Sequence, residues 1–204
     1  MEKKYEIIGD GRFKRVKALR DFGDVKKGDI GGIVDNEENL SHDGLCWIYD
    51  DSMVTQHAKV MENATVRKNG YIYGDAVVKG DAFVSDNAEV YANAVISGNV
   101  RIIGDSVIEG DANISAPITI KDGSIRHNTD YITIGPLGSE MRFVTFYSTW
   151  KGELVATTGC FHGTIAEFAK AVIEKYGVEK GYGRDYMAAI AAINCAITVL
   201  ENND

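Results

Sequence analysis

Between Cys46 and Ile120 a β-branched aliphatic residue stands at every sixth position. The series opens Ile48, Val54, Val60 and closes Ile108, Ile114, Ile120, and all thirteen members are Val or Ile. Two residues before most of them comes a small residue, as at Ala58, Ala64, Gly70, Ala76, Ala82, Ala88, Ala94, Ser106 and Ala112. The residue before that is usually Asp or Asn, as at Asp51, Asn63, Asn69, Asp75, Asp81, Asn87 and Asn93. Gly74, Gly80, Gly98, Gly104 and Gly110 precede such positions. A small residue, an outward residue and a β-branched residue make a short strand with two inward side chains. Gly followed by Asp or Asn makes a corner, because both tolerate left-handed backbone. Three strands and three corners close a triangular coil of eighteen residues, and stacked coils pair their backbones about 4.8 Å apart. The period predicts a mainly β fold, a left-handed parallel β-helix of about four coils over residues 46–126.

The flanks read differently. Residues 1–45 carry short alternating runs such as Phe13 to Leu19 and a turn at Lys26–Asp29, and they are expected to form a β cap on the first coil. Residues 127–204 read as an α+β unit. Tyr131 to Ile134, Arg142 to Tyr147 and Leu154 to Thr158 read as three strands. Thr164 and Glu167 form a capping box that opens a helix ending near Gly177. A second helix is expected from about Arg184 to Leu200, with Tyr186, Ile190, Ile193, Ile197 and Leu200 on one stripe packed on the strands. The stretch Asp122 to Asn128 reads as a loop or a last imperfect coil.

The repeat resembles the bacterial-transferase hexapeptide-repeat superfamily. The lead-in Gly28 to Val34, then Glu38 to Ser41 and Cys46 to Tyr49, resembles an uncharacterised bacterial and phage branch of it. The tail around Thr158 to Phe168 resembles a small domain that recurs in phage proteins. The resemblance implies trimers of left-handed β-helices with ligand sites between subunits. It leaves function open, because such folds include acyltransferases, γ-class carbonic anhydrases and proteins without catalytic activity.

Composition narrows the classes. The 204 residues carry 30 acidic and 22 basic side chains, a formal net charge of −8, which argues against general binding to nucleic-acid backbones. Cys46, Cys160 and Cys195 are far apart and form no CxxC pair, so neither a zinc knuckle nor a disulfide framework is expected. The charged start is not a signal peptide, and the apolar run Met187 to Leu200 is too short to span a bilayer. A cytoplasmic protein without membrane contact, metal or cofactor is the expectation; for a phage product, that means the host cytoplasm.

The candidate chemistry is sparse. His57 is the repeat's one histidine and the only candidate base for a CoA-dependent acyltransferase. It stands where Asp or Asn usually stands, and left-handed backbone tolerates His, so a corner substitution competes with that role. No loop interrupts the hexads from Cys46 to Ile120. One repeat histidine cannot supply three zinc ligands, and 45 residues are too few for a nucleotide-binding domain ahead of the repeat. In the tail, Gly159 to Thr164 lies between a strand and a helix start, where free N–H groups hold anions. Cys160 and His162 could pair there as a nucleophile and base, against the simpler reading of Cys160 as a small buried residue.

On the outer faces of the repeat, Tyr73 and Tyr91 recur at one face, and Arg67 and Arg101 at another. Stacked exposed aromatics point to a homotrimer interface or to a cleft where tyrosines stack a ring and arginines meet a phosphate. The candidate ligand-binding set is Tyr73, Tyr91, Arg67, Arg101, Arg142, Cys160, His162 and Thr164. The leading expectation is a non-catalytic, phage-type, trimeric protein that captures a small anionic, nucleotide-like ligand such as a host immune signal. The alternatives are the acyltransferase, and a structural spacer or inhibitor of a host protein.

Overall fold

Two-residue strands have no stability of their own, and this chain stabilises them by stacking. The computed structural model describes residues 3–11, 14–178 and 181–201. They divide into two units, Met1–Asp130 and Tyr131–Asp204.

In the first unit, β1 (Tyr5–Ile8), β2 (Lys14–Ala18) and β3 (Ile30–Val34) form an antiparallel meander. Fourteen strands of two or three residues follow, from β4 (Trp47–Ile48) to β17 (Ser124–Ile125). They sort into three parallel sheets, ordered β3-β5-β8-β11-β14-β17, β4-β7-β10-β13-β16 and β6-β9-β12-β15. The pairing steps by eighteen residues, as in Glu89↔Tyr71 and Val95↔Val77. This is a parallel β-solenoid of about five turns. It exceeds the expected four because both flanks join the stack. At one end Ile33↔Met53 pairs in parallel, so the cap supplies a rung of its own. At the other, Ile108↔Ile125 closes a coil one residue short, with Asp122 (φ 55) turning the corner.

All thirteen Val or Ile positions from Ile48 to Ile120 are fully buried. The small positions fill the remaining interior, and Ser106 satisfies its buried hydroxyl by donating to Ile103 O at 2.6 Å.

The corners differ from expectation. Left-handed φ falls on one residue per hexad, at Gly44, Asp50, Gln56, Glu62, Lys68, Gly74 and onward to Gly110, and not on the Asp or Asn that follows. The residue at this position is either Gly or, in most other cases, a side chain with an oxygen. Those oxygens have a use: Gln56 accepts from Gly74 N at 3.0 Å and Glu62 from Gly80 N at 2.9 Å, one coil further on. The following Asp or Asn instead builds a side-chain ladder between coils. Asn69 Nδ2 donates to Asn87 at 3.0 Å, and Asn87 Nδ2 to Asp105 at 2.9 Å. His57 therefore does not occupy the left-handed position; Gln56 does, at φ 57.

The first coil is closed by side chains from the cap. Lys4, wholly buried, places Nζ 3.0 Å from Cys46 O and 3.5 Å from both Asp43 O and Gly44 O. Burial holds its amine below the usual lysine range. Asn39, also fully buried, donates to Gln56 O and Ala58 O and accepts from Asp35 N and Asn36 N. A Cβ on Gly31 would meet Ile48 O at 2.4 Å, so only glycine lets β3 lie this close to β4. At the other end, Asp130 Oδ2 accepts from Arg126 N and His127 N, and Asn128 Oδ1 from Asn113 N.

In the second unit, β18 (Tyr131–Leu137), β19 (Arg142–Ser148), β20 (Leu154–Thr158) and β21 (Phe161–Thr164) form an antiparallel meander in chain order. Helices α1 (Ile165–Tyr176) and α2 (Gly181–Glu201) follow. Val144, Phe146, Ala156, Phe168, Val172, Tyr186, Ile190 and Ile193 make the core. Three residues of the expected α2 stripe are thus buried; the side chains of Ile197 and Leu200 lie outside the described residues. The capping box at Thr164 and Glu167 forms, and Gly177 ends α1 at φ 73. The fourth strand is a difference. Phe161 to Thr164 pairs with β20 across a two-residue turn, made possible by Gly159 at φ 55. No described helix is long and apolar enough to cross a membrane.

Candidate functional site

On the solenoid the candidate ligand-binding side chains each have a partner in their own chain. Tyr73 and Tyr91 stack at 4.6 Å with an 8° interplanar angle, and Tyr71 stacks on Tyr73 at 4.4 Å. The phenols donate to carboxylates, Tyr73 to Glu89 at 3.2 Å and Tyr91 to Glu109 at 2.5 Å. The hydrogen bond to Glu109, aided by burial, pushes the Tyr91 phenol up to about 12. Burial and Glu89 push Tyr73 up as well. Two carboxylates beside these rings disfavour an anion there. Arg67 and Arg101 sit on the sheet that contains β7 and β13, whereas the tyrosines adjoin β8 and β11 on another sheet. Arg67 lies 3.7 Å over the Tyr49 ring and donates to Asp24 at 3.0 Å, and Arg101 lies 4.2 Å over Phe83. Within one chain the tyrosines and the arginines therefore lie on different sheets. His57 is exposed, and its ring has no hydrogen bond or ion pair among the described residues. Nothing orients it as a base.

The second unit does assemble a pocket, of about 240 Å³. Its wall is one face of α1, where Phe168, Ala171, Val172, Lys175 and Tyr176 recur at helical spacing. The β18–β19 turn brings Glu140 and Arg142, the β20–β21 turn brings Thr158 to Phe161, and α2 brings Tyr186. Arg142 holds Glu140 through Nε at 2.6 Å and Nη2 at 2.5 Å, and Lys175 Nζ stands 3.9 Å from the other Glu140 oxygen. The Arg142 guanidinium holds the Glu140 carboxyl below its usual range. Arg142 Nη1 lies over Gly159, where a Cβ would come within 2.4 Å of it. Hydrogen bonds from Ser139 and Lys175 hold the Tyr176 phenol below its ordinary value. Phe161 and Phe168 pack at 5.2 Å, and Tyr186 meets Phe168 edge-on at 5.8 Å. The Thr158 hydroxyl is buried without a hydrogen-bond partner among the described residues.

Arg142 and Cys160 thus come together in this pocket, and His162 and Thr164 do not join them. Strand alternation turns His162 to the sheet face opposite Phe161, so a Cys160–His162 pair is not formed. Its Nε2 is buried and has no hydrogen-bond partner among the described residues. The anion position expected at the start of α1 is taken by the protein's own carboxylate. Thr164 N donates to Glu167 Oε2 at 2.8 Å, and Glu167 N donates to Thr164 Oγ1 at 3.2 Å.

No protein-family model matches the chain. A stretch of 65 residues is 37% identical to the uncharacterized acetyltransferase YdcK of Escherichia coli strain K12. That stretch takes in 32% of this chain and 18% of that protein, so the chain spans under a fifth of its curated relative. With the stacked coils, this likeness fits the hexapeptide-repeat transferase superfamily.

Lys175, Tyr176 and Glu140 were not foreseen. A signal for the first two exists in the sequence: the apolar spacing Phe168, Val172 continues at Lys175 and Tyr176, so a charged residue extends a buried stripe. Glu140 carries no comparable signal, because it reaches the pocket only through the turn between β18 and β19.

Proposed function

We propose that the protein is a non-catalytic binding protein whose second unit captures a small anionic ligand in the pocket at Arg142, Cys160 and Lys175. The observation that carries this is the convergence of two cations, an unpartnered hydroxyl and an aromatic floor in one cavity of a chain with formal net charge −8. The solenoid serves as a rigid scaffold that assembles as a homotrimer through its flat outer faces. Capture of a signal molecule by a phage product is consistent with this chemistry, but the cavity is too small to enclose a whole nucleotide. Thermal unfolding of the full chain against a panel of small anions tests the reading. At least one anion raises the midpoint, and the double substitution Arg142→Gln, Lys175→Gln abolishes the rise. A panel without effect refutes it, and light scattering that returns a monomer refutes the trimer.

The likeness to YdcK favours a second reading, an acyltransferase that uses His57 and a CoA thioester between subunits. The exposed, unoriented ring argues against it in the single chain. Acetyl-CoA turnover that disappears in His57→Ala would establish it and overturn the binding reading.

A further inference from the structure

The pocket of the second unit has a size and a charge, and together they select a ligand class. An apolar cavity of about 150 Å³ accepts benzene, so by that scale about 240 Å³ holds about ten non-hydrogen atoms. A nucleoside monophosphate has roughly twice that many. Charge narrows the choice further. Among the described residues Arg142 and Lys175 pair with one carboxylate, Glu140, which leaves a single positive charge uncompensated. A monoanion neutralises it, whereas a phosphate dianion would leave excess negative charge beside Glu140.

The free hydrogen-bonding capacity agrees. Glu140 occupies Arg142 Nε and Nη2, so Nη1 remains as donor, and the Lys175 ammonium keeps hydrogens beyond the one it gives to the Tyr176 phenol. These two cations are half-exposed or more, as suits groups at the mouth of a pocket. The floor is apolar and aromatic, built from Phe161, Phe168 and Val172. The buried Thr158 hydroxyl marks where a ligand or a water places a polar atom, since leaving it unpaired costs roughly 1–3 kcal/mol.

We propose that this pocket takes a small amphipathic monocarboxylate of about ten non-hydrogen atoms, its acid group between Arg142 and Lys175 and its aromatic or short aliphatic body on Phe161, Phe168 and Val172. The proposal rests on the pocket being the ligand site. Calorimetry on the full chain with benzoate, phenylacetate and hexanoate tests it, with benzamide, hexanamide, inorganic phosphate and AMP as comparisons. The expected result is saturable binding of at least one carboxylate, with its amide about tenfold weaker or worse, as loss of a charge-assisted pair requires. Arg142→Gln, at an exposed position, weakens the carboxylate by about tenfold as well. Ala171→Phe, which fills the cavity, removes binding while the unfolding midpoint shows the chain folded. Binding of phosphate or AMP that depends on Arg142, with no carboxylate bound, overturns the ligand class and leaves the pocket as the site. Carboxylate binding untouched by both substitutions, or no binding by any probe, overturns the proposal and the pocket reading together.

Discussion

Ile96→Ala tests the central claim about the solenoid, that one side chain of each strand is walled in and its neighbour is not. Ile96 is fully buried and stacks between Val78 and Ile114. Removing three carbons at about 0.8 kcal/mol each loses about 2.4 kcal/mol of transfer free energy. Collapse onto the hole is restrained, because Val77 N donates to Ala94 O at 2.9 Å and Val95 N to Ala112 O at 2.8 Å, fixing the coils on either side. A residual cavity therefore adds to the loss, and the total comes to about 3–4 kcal/mol, inside the usual range for such changes. Val95→Ala is the control. Its side chain points outward and is half-buried, and losing two carbons there costs below about 1 kcal/mol. Urea unfolding with unchanged m-values reads both. An Ile96→Ala loss under about 1 kcal/mol would refute the inward–outward assignment.

Other consequences can be measured directly. Thr164→Ala removes the capping box of α1 and lowers stability by about 1 kcal/mol, while Thr164→Ser keeps most of it; chemical denaturation distinguishes the two. Gly80→Ala costs roughly 1–3 kcal/mol, because left-handed backbone at φ 71 is strained for alanine and its Cβ would meet Gly98 N at 2.5 Å. Gly80→Asp costs less than Gly80→Ala despite its size, because its carboxylate can accept from Gly98 N as Glu62 accepts from Gly80 N. The Lys4 amine has a lowered pKa in the folded chain, so above that value the unfolded state binds more protons. Wild-type stability measured against Lys4→Met therefore rises with pH through the window between the lowered value and the ordinary 10.5. An unchanged difference between pH 7 and pH 10 would count against a buried ammonium.

Much of the solenoid could be read from residue order, because a strict six-residue period fixes which side chains face inward and leaves few alternatives. The corner was harder. Gly and Asx are both turn residues, and only the backbone shows that Gln56, Glu62 and Lys68 hold the left-handed position while Asn69 and Asn87 link coils. The cap escaped as a rung because β3 enters from an antiparallel meander, and neither Gly31 nor Gly32 fits the hexad. The site is less legible for a physical reason. Along the chain Tyr73, Tyr91, Arg67 and Arg101 read as separate outward groups, and the fold sets each against a neighbour one coil away or against the cap. The pocket is built from two tight turns and two helices. It depends on tertiary packing, and local spacing along the chain records only the α1 part of it.

The cap has a consequence beyond stability. A coil that ends in open sheet edges is a growth surface, and a second molecule can continue the stack by adding its own rungs. Here the first coil carries an antiparallel hairpin on one sheet and a lysine amine over the carbonyls of Asp43, Gly44 and Cys46. An incoming strand would have to displace the buried Lys4 amine from these carbonyls before pairing with them. Lys4 thus occupies the carbonyls that an added rung would have to pair with.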